Sequence, residues 1–160
     1  MFAIALALAA AAACPVENAH YILRHQDGVT LSFQPVAKSR DWPSGIAMAV
    51  HVAKSGDTVY FLPWQGGTDD KENVTHTTDI TRPDFDLPSP DGGPGRLGDM
   101  EYIATDAAYE IIHHTPMKGD PAPAHILLSG LGDALWHRGT PWHQDAVTKA
   151  FFDLDGCAKA

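Results

Sequence analysis

The chain is poor in most of what marks a known chemistry. It has two cysteines in 160 residues and no Cys-x-x-Cys pair, so a cysteine-ligated metal framework is excluded. There is no His-Glu-x-x-His, no Gly-x-Ser-x-Gly elbow, and no phosphate-cradling glycine loop followed by Lys-Ser or Lys-Thr. Basic residues are scarce, 11 Lys and Arg against 20 Asp and Glu, giving a net charge of −9. Such a chain is repelled by phosphate backbones, so no nucleic-acid partner is expected. No apolar run reaches the roughly 20 residues a membrane-crossing helix needs.

The longest apolar run is Phe2–Ala13, which has the length of a signal-peptide core and ends in small residues, Ala11 and Ala13. Residues 1–13 are therefore expected to be a signal peptide cut before Cys14, although no Lys or Arg precedes the run. Residues 14–160 then form one exported domain, destined for the periplasm, the outer membrane or the medium. Cys14 and Cys157 stand at its two ends. In an oxidising compartment they invite a disulfide. Ala11-Ala12-Ala13-Cys14 also resembles a bacterial lipobox, which implies a lipid anchor on Cys14 instead.

Period-two alternation predicts strands over His20–Arg24 and Val29–Gln34, joined at Asp27-Gly28. A second hairpin joins Ile46–Val52 to Thr58–Trp64, whose Pro63 suggests a sheet edge. Val74–Ile80 reads as a further strand. Residues 82–99, rich in Pro and Gly, read as a long surface loop. Asp99–Ile112 fits a helical stripe slightly better than a strand. A third hairpin is expected from His125–Ser129 and Ala134–Arg138, and a helix from Thr140-Pro141 through Leu154. The fold class is mainly β: an antiparallel sandwich or partly open barrel built from hairpins, with one or two short helices in the C-terminal half.

Nine histidines are the main chemical signal, five of them in the last third: His113, His114, His125, His137 and His143. With Asp145 they are candidate ligands for Zn or Cu, because neutral imidazole suits both ions. Asp153-Leu154-Asp155-Gly156 resembles the start of a calcium loop but reads as a turn, since too few residues follow it. Trp42, Trp64, Trp136 and Trp142 each adjoin turn residues, and Trp64 with Gln65, Asp69 and Asp70 makes the best candidate for ligand binding. An indole on a loop rim stacks on sugar rings while the amide and carboxylates take hydroxyls. The leading expectation is a non-enzymatic envelope binding or accessory module. A metal-binding protein or metal-dependent enzyme, and a glycan-binding domain, are the alternatives.

Overall fold

A computed structural model of the protein describes residues 13–66, 71–137 and 144–158. Eight strands run up and down in sequence order: β1 (Ala19–Leu23), β2 (Val29–Pro35), β3 (Ile46–Val52), β4 (Asp57–Gln65), β5 (Glu72–Thr77), β6 (Gly98–Thr105), β7 (His125–Leu128) and β8 (Phe152–Cys157). Every neighbouring pair is antiparallel, and β8 returns to pair with β1, so the sheet closes into a barrel. The expected mainly β, antiparallel fold is present, and the sheet closes into a barrel where a sandwich or a partly open barrel was expected.

The alternation seen in the sequence is what fills the barrel. Tyr21, Leu31, Met48, Val50, Phe61, Val74, Ile126 and Phe152 are all buried in one cluster. Eight strands enclose just enough space for side chains to fill, so the interior is a packed core. Gly28 sits at φ +79° in the β1–β2 turn, a left-handed conformation that a side chain would strain.

Three local expectations fail for one reason: residues compatible with two periods were settled by their neighbours in space. Gly98–Thr105 is a strand, not the first half of a helix, because Met100, Tyr102 and Ala104 alternate inward between β5 and β7. Leu131–Trp136, expected to span a turn and the start of a strand, is a short helix, α1, whose Leu131 and Leu135 lie one turn apart and are both buried in the core. Phe152–Cys157 is β8, not the end of a helix nor a turn, and it closes the barrel. The helix expected to start at Thr140-Pro141 begins outside the described residues, and 144–151 is irregular. β4 lies inside the closed sheet, but Pro63 itself stands where β4 has run past its pairing with β3. It pairs with Val74 but lies past Phe61, the last β4 residue paired with β3.

The two ends of the barrel differ. One carries the β1–β2 and β3–β4 hairpins and is plugged by α1. The other carries loops 36–45 and 106–124, the end of β4 and both termini of the barrel. Here Cys14 and Cys157 form a disulfide. The loop at 106–124 crosses this end and is held by backbone hydrogen bonds from Val16 to Asp120, Ala122 to Cys14 and Lys118 to Ser44. The Pro/Gly-rich loop leaves β5 at the plugged end and folds back along the outer wall. Ile80 and Leu87 pack there with Trp42 and Leu62, and the Trp42 indole N–H donates to the Pro88 carbonyl at 2.8 Å.

Candidate functional site

At the loop-bearing end two loops and the end of β4 leave an open cleft of about 700 Å³. Arg40 and Asp41 come from the β2–β3 loop, Trp64 and Gln65 from the end of β4, and His114 and Asp120 from the loop between β6 and β7. Its polar groups carry both signs and both hydrogen-bonding roles. His114 Nε2 stands 3.5 Å from an Asp120 carboxylate oxygen.

Beneath the cleft lies a buried carboxylate. Glu72 is 8% exposed, yet both oxygens are satisfied. The Gln65 side-chain amide donates to one and the Thr115 hydroxyl to the other, each at 2.9 Å. An unbonded carboxylate in that position would cost several kcal/mol, so this pairing fixes Gln65 and Thr115 at the cleft wall. Asn73 pairs with Glu101, so the next residue on each strand, Glu72 and Tyr102, turns inward. The Tyr102 hydroxyl is buried without a hydrogen-bond partner, as is Trp64 Nε1. Burial first, then the nearby Tyr21, Glu72 and Asp120, push the Tyr102 phenol well above its ordinary range. It therefore remains an O–H donor. Each unmade buried hydrogen bond costs about 1–3 kcal/mol. The third such atom, Thr77 Oγ1, is on β5 near the opposite end.

Of the residues singled out in the sequence, Trp64 and Gln65 do line this cleft, whereas Asp69 and Asp70 lie outside the described residues. One ring face of Trp64 is covered by the Arg96 guanidinium, 5.5 Å from the ring centre. Arg96 is in turn held by Asp99 at 2.7 Å.

The histidines scatter. His113 and His114 are exposed in the 106–124 loop, His125 sits on the outer face of β7, and His137 follows α1 beside Asp133 at 3.5 Å. His143 is outside the described residues. Asp145 is buried and accepts from the Ser55 hydroxyl at 2.8 Å, at the plugged end. Among the described residues no group of three or more His, Cys, Asp or Glu is arranged to hold a metal ion.

A cluster invisible in the sequence stands on the outer wall. Asp153 accepts from Arg24 through both oxygens, at 2.8 and 2.6 Å, and from His125 Nδ1 at 2.6 Å. The Arg24 hydrogen bonds, ahead of that from His125, hold the Asp153 carboxyl below the usual carboxylate range. Arg24 also donates to the Tyr109 hydroxyl at 2.7 Å, and the Tyr109 ring stacks flat on His125 at 4.3 Å. Tyr109 has φ +64°, an uncommon conformation for an aromatic residue that these contacts hold in place. The cluster spans the seam between β7 and β8, the shortest ladder in the barrel with two paired positions. Among the described residues no serine, threonine or cysteine hydrogen-bonds to His125.

A second hollow, about 560 Å³, lies beside α1, between His76, Met100 and Ala134, with Asp99, Asp133 and His137 at its margin. Compared with known proteins, the chain matches no family model, no curated protein and no solved structure. What it does has to be read from these sites.

Proposed function

We propose that this protein is an exported, non-enzymatic binding module that holds a small polar ligand in the cleft at the loop-bearing end of the barrel. One observation carries the reading: donors and acceptors from two separate loops and the end of β4 converge on one open cleft, over a barrel whose interior is already full. A hollow of this size suits a small molecule. Export rests on the apolar Phe2–Ala13 segment and on a disulfide between the two cysteines, a bond that persists in oxidising compartments.

A thermal-shift screen of small polar molecules tests this, run on the protein and on Arg40→Ala and Asp41→Ala. Both residues are exposed, so each change should leave stability within about 0.5 kcal/mol. Molecules that raise the melting temperature of the parent are expected to lose that effect in both variants. Stabilising molecules indifferent to both changes, or substrate turnover that both variants abolish, would overturn the proposal.

A further inference from the structure

The loop that walls the cleft is held in two halves by different parts of the chain. Residues 115–118 are tied to the barrel and the β2–β3 loop. The Thr115 hydroxyl donates to Glu72, the Ser44 hydroxyl to the Pro116 carbonyl, and the Lys118 amide to the Ser44 carbonyl. Residues 119–122 are tied elsewhere. Among the described residues, their hydrogen bonds to other segments all go to the N-terminal strap, residues 14–17. The Gly119 amide donates to the Glu17 carboxylate, the Val16 amide to the Asp120 carbonyl, and the Ala122 amide to the Cys14 carbonyl, each at 2.8 Å. Pro15 and Pro121 pair as a single β-bridge.

The strap has two anchors of its own. Val16 is fully buried in the core, and Cys14 is bonded to Cys157 at the end of β8. Of the two cysteines Cys14 is partly buried, whereas Cys157 is exposed. Exposed disulfides are the ones open to exchange in a folded protein. With that bond cut, residues 14 and 15 have no covalent tie to β8, and one apolar side chain holds everything that holds residues 119–122.

We infer that the Cys14–Cys157 disulfide is a redox latch on the cleft: its reduction frees the strap and with it the half of the wall that carries Asp120, while residues 115–118 stay in place. The step needs a dithiol. One of its thiolates attacks the exposed Cys157 Sγ, and Cys14 leaves as a thiolate that takes up a proton. The second dithiol sulfur then displaces Cys157, so the dithiol is oxidised to a disulfide by the two electrons the protein gains. That the loosened wall belongs to a ligand site rests on the proposed binding role; the latch itself does not.

The test is amide hydrogen exchange in proton–nitrogen correlation spectra, read without ligand before and after reduction of the folded protein by dithiothreitol. The Gly119 and Ala122 amides should exchange about tenfold faster once reduced, and the Lys118 amide of the same loop at its former rate. Cys14→Ser with Cys157→Ser, in the absence of reductant, should reproduce that pattern; if this variant fails to fold, the reduced parent decides. Unchanged exchange at Gly119 and Ala122, a disulfide that resists dithiothreitol while the barrel is folded, or equal acceleration at Lys118 through general unfolding would each overturn the inference. A failed latch leaves the binding role standing, and a failed ligand screen leaves the latch standing.

Discussion

The two ends of this barrel are closed by different physics. At one end α1 presses Leu131 and Leu135 into the core as an apolar plug. At the other, a loop crosses on hydrogen bonds, a buried glutamate joins two strands to it, and a disulfide ties the termini. Apolar closure is non-directional and follows area buried. Polar closure needs every partner in place, and a group left without one costs free energy.

The sharpest way to break the contrast is to cut the covalent tie. The disulfide spans a sequence separation of 143, and its loss through Cys157→Ser should lower unfolding stability by about 4 kcal/mol in chemical denaturation. The mass of the mature protein should show two hydrogens fewer than the dithiol. A diacylglycerol increment in its place would mean that Cys14 carries a lipid.

Next in size is the plug. Leu135→Ala should cost about 2–4 kcal/mol by cavity formation, and it should leave cleft binding unchanged. Weakened binding would mean that the two ends are coupled through the packed interior.

The smallest expected effect lies on the seam between the ends. Asp153 has its pKa depressed by Arg24 and His125, so its contribution is present at neutral pH, above the unfolded value of about 3.9. It is lost as pH falls through the folded value. Melting temperatures of the parent and Asp153→Asn should therefore differ at pH 7, by about 1–2 kcal/mol of stability, and converge in strong acid. A difference that persisted unchanged in acid would show that the aromatic stack of Tyr109, His125 and Phe151 holds the seam without the carboxylate.

Much of the barrel was legible because a strand declares itself locally. Val29, Leu31 and Phe33, then Ile46, Met48, Val50 and Val52, show their inward face by alternation alone. Met100, Tyr102 and Ala104 did not, since the same residues fit a helical stripe until β5 and β7 stand on either side. The cleft was legible only in part. Trp64 and Gln65 stood out as an aromatic beside a turn, but Arg40, Asp41 and Asp120 are ordinary surface residues until the loops carrying them meet. Nothing about Asp153 pointed to Arg24, which is 129 residues away.

By itself the sequence determined the antiparallel β character, the acidity, the core residues of the first strands and the pairing open to two lone cysteines. These depend on side-chain period and composition, which are properties of neighbours in the chain. Only the tertiary structure decided that the sheet closes, that α1 is a plug, and which polar side chains face one another across the open end. Those follow from the closure of β8 onto β1, a pairing between the two ends of the chain that no local pattern encodes.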